Sequence, residues 1–206
     1  MTRLAFLLLL ATGVSAPAAA QHAHDAPTTR ADGAATGPPT ATQVTGLRVD
    51  DAAPPAGSGV GRTMLRWPDG GYATVVYGRP YRRGRVVFGG IVGYGAAWVA
   101  GAHQSTELWT SVPLAVGGVR LAPGGYSLFV TPRAEGRWTL HVNRALGMHL
   151  ADEYDASRDV AVLSLAPETL AAPAEALTWA FETAPDGTAS LALAWDTVRL
   201  AVAVAR

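Results

Sequence analysis

The sequence predicts an all-β protein, with a single antiparallel β-sandwich of about ten short strands after a signal peptide and a disordered linker. Apolar residues in residues 61–206 recur with a period of about two rather than 3.6, which indicates strands rather than helices. Turn residues divide these apolar runs into short segments. The segments together are long enough to close a core without disulfides.

Residues 1–20 have the layout of a secretory signal peptide. Arg3 precedes an apolar run, and the small residues Ala18 and Ala20 precede Gln21. The apolar run is shorter than the roughly 20 residues that are needed to span a bilayer. We therefore expect cleavage after Ala20, a periplasmic or extracellular location and no stable membrane insertion.

Residues 21–60 are rich in Ala, Pro, Thr and Gly, and we expect them to form a disordered linker. A segment of this composition buries too little apolar surface to offset the entropy lost on ordering. The stretch VTGLRV within it is either an isolated strand or part of the linker. Residues 61–206 form the β-sandwich domain, and nothing in the sequence marks a second one.

Strand candidates follow one another through residues 61–206. In chain order they are MLRW, YATVVYG, RVVFGG, PLAV, VRL, YSLFVT, RWTLHV, LTWAFET, SLALAW and VRLAVAV. Gly117 and Gly118 between PLAV and VRL are a two-residue hairpin signal of the positive-φ kind. In RWTLHV the alternation places Trp138 on the core face and His141 on the opposite face.

At three places the sequence does not decide the local structure. The stretches NRALGMHLADEYDASRD and APETLAAPAEA are those most open to helix or irregular turn. Asp196 and Thr197 separate the last two strand candidates. Trp109 alternates with Leu108, so one of these two side chains is exposed.

Composition excludes several kinds of chemistry. The formal net charge is zero, so we expect no nucleic-acid partner. The chain has no Lys and no Cys, which excludes Schiff bases, disulfides, thiolate catalysis and Cys-ligated metals. The glycine-rich stretch FGGIVGYGAAW lacks the Lys-Ser/Thr of a phosphate-binding loop. We expect no cofactor.

Two clusters could carry chemistry. His103, His141 and His149 could converge on one Zn²⁺ with an open coordination position, although their spacing is also that of ordinary surface residues. The run GRPYRRGR, which begins after Tyr77, is either a clamp for an anion or a solvated loop. Arg79, the first arginine of the run, lies at a strand end before Pro80 and could reach inward.

The stretches YGRPYRRGRVVFGGIVGYGAAWVAGAHQST, GVRLAPGGYSLFVTP, RWTLHVN and LALAWDTVRLAVAV, in that order, resemble the secreted bacterial family known as domain of unknown function 2911. The resemblance covers about residues 62–205. It implies a compact β-sandwich and a secreted location more than it implies an activity.

The resemblance draws attention to residues 98–106, where the family pattern reads Trp-Arg-x-Gly-Ala-Asn-Glu-x-Thr. This chain keeps the Trp, Gly, Ala and Thr, but it has Val99, His103 and Gln104 in place of the Arg, Asn and Glu. His149 stands where Trp is expected, while Arg79 and Asn143 match the pattern. If the missing Arg and Glu form an ion pair in the family, losing both together avoids an orphan buried charge. If they carry catalysis, this chain is inactive or altered.

We therefore expect a secreted or periplasmic β-sandwich that binds a small molecule or a glycan, or is structural, rather than an enzyme. The candidate binding residues are Arg79, Trp98, His103, Gln104, Thr106 and Asn143. In this hypothesis Arg79 holds an anionic or carbonyl group, Gln104 and Thr106 donate hydrogen bonds, and Trp98 stacks on the ligand. The alternative is a Zn²⁺-dependent hydrolase that uses His103, His141 and His149.

Overall fold

A computed structural model describes residues 42–46 and 57–206 of the chain. The expected signal peptide, residues 1–20, and most of the expected linker lie outside these residues and stay predictions. A strand at Thr42–Gly46 overlaps the stretch VTGLRV and pairs with the first strand of the following domain. The strand alternative for that stretch therefore fits the structure better than the linker alternative.

The all-β prediction is confirmed, because the described residues form eleven strands and no α-helix. The strands are β1 (Thr42–Gly46), β2 (Gly59–Arg66), β3 (Tyr72–Arg79), β4 (Thr106–Thr110), β5 (Leu114–Val116), β6 (Val119–Leu121), β7 (Gly124–Thr131), β8 (Trp138–Asn143), β9 (Asp159–Leu165), β10 (Glu168–Thr183) and β11 (Ala189–Ala205). A single 3₁₀ turn at Ala156–Arg158 precedes β9. In the part of the chain that the structure describes, no helix is long and apolar enough to cross a membrane.

The strands form two antiparallel sheets, as a β-sandwich requires. The larger sheet has the order β1-β2-β3-β4-β7-β8-β9, and the smaller one has the order β10-β11-β5-β6. The β5–β6 hairpin leaves the larger sheet after β4 and joins the smaller one, so β4 pairs with β7. The chain therefore passes from the larger sheet to the smaller one after β4 and returns to the larger sheet at β7.

The core lies between the two sheets. Fully buried side chains of the larger sheet include Leu108, Leu128 and Leu140, and those of the smaller sheet include Leu177, Phe181 and Leu193. Burial of each such side chain contributes about 1.5–3 kcal/mol to folding. Leu108 is the buried member of its pair, whereas Trp109 is 41 % exposed on the outer face of the larger sheet.

Three local predictions are corrected by the structure. The stretch APETLAAPAEA belongs to the edge strand β10, where a bulge accommodates Pro173. Asp196 does not end a strand, because it adopts a left-handed φ of 51° opposite that bulge and β11 continues through it. RVVFGG is not a strand, because positive φ angles turn the chain just before it at Gly84 and within it at Gly89.

Candidate functional site

Residues 98–106, called here the site loop, lead into β4 and end at its first residue, Thr106. The loop contains two non-glycine residues in the left-handed region, Ala100 with a φ of 50° and His103 with a φ of 65°. Each such residue costs of the order of 1–3 kcal/mol and persists only where its surroundings impose it. The site loop is therefore held in a strained and defined shape.

The carbonyl oxygen of Ala100 fixes the centre of the site loop. It accepts a hydrogen bond from the Thr106 hydroxyl at 3.0 Å and another from the Trp179 indole N–H at 2.8 Å. Thr106 is completely buried. The structure thus places Thr106 beneath the loop as a support for its backbone, and Thr106 is not among the residues that line the neighbouring groove.

Two glycines allow the site loop to lie directly on β3. A Cβ atom on Gly78 would overlap the carbonyl oxygen of Ala102, and one on Gly101 would lie 2.8 Å from Thr106 Oγ1. Any side chain at either position would force the loop away from the sheet. The close approach of the two backbones is what shapes the cavity beside them.

A groove of about 320 Å³ lies between the site loop and the first residues of β2. Its lining residues are Ser58, Gly59, Val60, Val76, Tyr77, Gly78, Ala102, His103, Gln104, Ser105 and Glu107. His103 and Gln104 are both exposed at its rim. Of the six predicted binding residues, these two are the ones that the structure brings into the groove.

A second loop, which contains residues 148–150, pairs with the residues at the rim of the groove. Ser105 N–H donates to the Met148 carbonyl at 2.8 Å, and Leu150 N–H donates to the His103 carbonyl at 2.7 Å. Gln104 and His149 pair as an isolated β-bridge. The backbones of the two loops therefore pair along residues 103–105 and 148–150.

Glu107 closes one end of the groove and was not among the predicted binding residues. Its Oε1 accepts the Gly147 N–H at 3.0 Å, and its Oε2 accepts the Trp109 indole N–H at 3.0 Å. Both oxygens are thus held by donors on different elements. The alternation of Glu107 and Trp109 with the apolar Leu108 was the sequence signal that could have identified this surface.

Trp98 and Arg79 lie outside the groove. The Trp98 ring stacks on Trp195 at 5.9 Å between centroids, and its indole N–H donates to the Gly101 carbonyl at 3.0 Å. Arg79 donates to the Tyr81 hydroxyl at 3.0 Å, and its guanidinium lies 5.4 Å from the centre of that ring. Both side chains contact the protein's own aromatic residues.

The remaining arginines of GRPYRRGR bind their own surroundings rather than converge on a cavity. Arg85 donates to the Tyr81 carbonyl at 2.8 Å and to the Arg82 carbonyl at 3.0 Å. Arg82 forms an ion pair with Asp196 at 3.3 Å. The arrangement fits the solvated-loop interpretation better than the anion clamp.

Asn143 is fully buried and belongs to a different polar cluster on β8 and β9. Its amide nitrogen donates to Asp159 Oδ1 at 2.8 Å and to the Asp155 carbonyl at 2.9 Å. Its carbonyl oxygen accepts the Ala145 N–H at 2.9 Å. Asn143 therefore fixes the segment between β8 and β9.

His141 lies in the same cluster. Its Nδ1 is 2.9 Å from Asp159 Oδ2, and its Nε2 is 3.0 Å from the Thr131 hydroxyl. The Tyr154 hydroxyl donates to Asp159 Oδ2 at 2.7 Å. Burial raises the pKa of Tyr154, and the hydrogen bond to the Asp159 carboxylate raises it further.

The predicted convergence of His103, His141 and His149 is not found. Among the described residues, no group of three or more His, Asp or Glu side chains is arranged to hold a metal ion. His103 and His149 lie on adjoining loops, but both ring nitrogens of His141 are engaged by Asp159 and Thr131. The structure therefore does not support the three-His zinc site.

A family model described as "Protein of unknown function (DUF2911)" matches residues 63–204. The match covers most of the chain and nearly all of the two sheets. Comparisons with curated proteins and with solved structures gave no match.

Proposed function

The chain belongs to the domain of unknown function 2911 family, and on that premise we propose that it is a non-catalytic β-sandwich module that binds a small ligand in the groove beside the site loop. The proposed partner is a small organic molecule or a glycan, with no cofactor and no nucleic acid. The signal-peptide layout of residues 1–20 supports action in the periplasm or outside the cell.

One observation carries the proposal: strained backbone and a concave cavity coincide. Ala100 and His103 hold left-handed conformations, and the loop that contains them forms one wall of the groove. Backbone strain of this kind clusters at binding sites, where it presents groups in a fixed geometry. A loop that served only to connect two strands would gain nothing from it.

The groove combines the two kinds of surface that ligand sites require. Val60, Val76 and Ala102 provide apolar surface, and His103 and Gln104 provide hydrogen-bonding groups at its rim. Its volume is at the lower end of the range of about 300–1,000 Å³ that is typical of small-molecule pockets. It therefore suits a ligand, or part of one, that has an apolar body and polar substituents.

The test fills the groove without substituting any residue of the site loop. Val76→Trp places a large side chain on an outward-facing strand position that lines the groove. Val162→Trp is the matched control, because Val162 is an exposed strand valine outside the groove. The probes are glucose, N-acetylglucosamine, acetate and methylamine, each titrated into the ¹⁵N-labelled chain.

We expect at least one probe to shift the amide signals of Gly78, His103 and Gln104 in a saturable way. Val76→Trp should abolish these shifts, and Val162→Trp should retain them. If no probe shifts these amides, or if the shifts persist unchanged in Val76→Trp, the groove is not a binding site and the structural interpretation holds.

A further inference from the structure

Trp109 is a large aromatic side chain exposed in the middle of a sheet. It is 41 % exposed on β4, which is the fourth of seven strands in the larger sheet. Its neighbours Leu108 and Thr110 are buried on the opposite face. An indole has a large apolar surface that contributes strongly when it is covered, and here part of that surface is available to a ligand in the middle of the sheet.

The Trp109 ring lies over bare backbone. Gly125 on β7 is its direct cross-strand partner, and a Cβ atom on Gly125 would lie 2.8–2.9 Å from Cη2, Cζ3 and Cε3 of the indole. The absence of a side chain at Gly125 lets the six-membered ring rest against the sheet. One side of the indole is therefore supported by β7, and the ring remains open to solvent.

The orientation of this ring is fixed before any ligand arrives. The indole N–H donates to Glu107 Oε2 at 3.0 Å, and the other oxygen of Glu107 accepts the Gly147 N–H at 3.0 Å. A ring held by a hydrogen bond at its edge and by backbone below loses little entropy on binding. We call this arrangement of Trp109, Glu107 and Gly125 the indole platform.

The indole platform continues the groove. Glu107 belongs to both, since it lines the groove and binds the Trp109 ring. On the other side of Trp109, Tyr72 pairs with Ser111 and is 37 % exposed. Along β3 the surface from Gly78 to Tyr72 spans roughly 20 Å at about 3.3 Å per residue.

The chemistry of this surface matches one class of ligand. A pyranose ring has flat patches of C–H groups that pack on an aromatic face, and hydroxyl groups at its edge that hydrogen-bond to carboxylates, amides and guanidinium groups. Glu107 lies beside the ring, and the exposed Arg62 extends across the same sheet face to donate to Thr74 Oγ1 at 3.2 Å. A carboxylate and a guanidinium each have hydrogen-bonding capacity beyond these contacts, and a purely apolar partner would leave that capacity unused.

We propose that the ligand is a saccharide chain, with one pyranose unit stacked on Trp109 and the next units extending into the groove past Glu107. This inference rests on the proposed function, because it names the ligand class of the same groove and adds a subsite to it. In it Trp109 provides the stacking surface, while His103 and Gln104 hydrogen-bond the unit in the groove.

The test varies the length of the saccharide and the side chain at position 109. The probes are glucose and its β-1,4-linked tetrasaccharide, titrated into the parent chain, Trp109→Ala and Trp109→Phe. We expect the tetrasaccharide to bind the parent about tenfold more tightly than glucose, because only the longer chain can stack on Trp109 and occupy the groove at the same time. Trp109→Ala should remove this advantage, and Trp109→Phe should restore part of it.

The amide signals of His103 and Gln104 separate this inference from the proposed function. If they shift with any probe while Trp109→Ala binds the tetrasaccharide as tightly as the parent does, the groove binds ligand and the saccharide inference is wrong. If they shift with no probe, both proposals fail. Because Trp109 is exposed, we expect the thermal unfolding of Trp109→Ala to stay close to that of the parent, which would exclude misfolding as the cause of lost binding.

Discussion

At the scale of single residues, the position of the site loop on β3 depends on two residues that have no side chain. Gly78 and Gly101 have no side chain, and this permits a backbone contact that no other residue would allow. Ala100 and His103 then adopt left-handed conformations that glycine would adopt more easily. The loop is therefore held by its surroundings rather than by its own conformational preferences.

Gly78→Ala is the sharpest test of this contact. The new Cβ would overlap a backbone oxygen of Ala102, which cannot rotate away. We expect a loss of about 1–3 kcal/mol in the free energy of unfolding, as is typical of overpacking. Gly59→Ala is the matched control, because a Cβ there meets nothing within 4 Å and should change stability by less than about 0.5 kcal/mol.

Urea denaturation of both variants measures the difference. Equal stability in the two variants would mean that the site loop moves freely on β3, which would also remove the argument from backbone strain. In addition, the amide signals of the site loop should move in Gly78→Ala and stay in place in Gly59→Ala.

Sequence reasoning identified part of the site at this scale. It singled out residues 98–106 and included His103 and Gln104, which do line the groove. It also included Trp98 and Asn143, because a tryptophan or an asparagine beside a turn looks the same whether it serves a ligand or the fold. Their partners, Trp195 and Asp159, come from other strands, and no local pattern reveals them.

At the scale of elements, the short hairpin between β5 and β6 shows how two adjacent glycines differ. Gly117 has a φ of 56° and Gly118 a φ of 84°, as the sequence predicted for a two-residue turn. A Cβ on Gly117 would lie 2.8 Å from Leu163 Cδ1, whereas one on Gly118 would meet nothing within 4 Å. A side chain at the first glycine would therefore press on Leu163, whereas one at the second would enter open space.

This difference predicts unequal effects of the same substitution. Both Gly117→Ala and Gly118→Ala place a side chain in a left-handed conformation, which costs about 1–2 kcal/mol. Gly117→Ala must also displace Leu163, so we expect its melting temperature to fall further than that of Gly118→Ala. Gly118→Asn should be close to the parent, because Asn tolerates this conformation. A larger fall for Gly118→Ala would contradict the turn geometry.

The strand boundaries show where prediction from sequence was weak. APETLAAPAEA is rich in Ala, which favours helices, yet it forms the edge of the smaller sheet. Its pairing with residues around Asp196 determines its conformation, and a proline is tolerated there because an edge strand needs fewer hydrogen bonds. Tertiary pairing of this kind overrides local propensity and is invisible to a short window of sequence.

At the scale of the whole molecule, stability should depend on pH in the alkaline range. Burial raises the pKa of Tyr77 and of Tyr154 above the value of 10.0 that is usual for tyrosine. Above a pH of about 10 the unfolded chain releases these protons while the folded chain retains them. The free energy of unfolding is therefore constant with respect to these groups below that pH and falls above it.

Urea denaturation between neutral and strongly alkaline pH measures this slope. Tyr154→Phe removes one of the two groups, so its free energy of unfolding should fall less steeply with pH than that of the parent. The same slope in both proteins would mean that Tyr154 ionises equally in the folded and unfolded states. The acid side provides no such test of Tyr154, since the group is protonated in both states there.

The sandwich itself was predictable because it follows from alternation, which is a property of each strand alone. The order of strands was not predictable, because the pairing of β4 with β7 depends on the departure of β5 and β6 to the other sheet. The residue patterns of Thr106–Thr110 and Gly124–Thr131 do not indicate which strand each one pairs with. The fold class was thus accessible from sequence, whereas the topology that positions the groove was not.

The double hydrogen bond at the Ala100 carbonyl has an optical consequence. Trp179 donates to this oxygen, and Trp98, at the start of the same loop, stacks on Trp195. Indole emission changes colour and intensity with the surroundings of the ring. Any displacement of the site loop by an incoming molecule would alter light emitted from the opposite sheet, so the unlabelled protein contains its own fluorescent reporter of events in the groove.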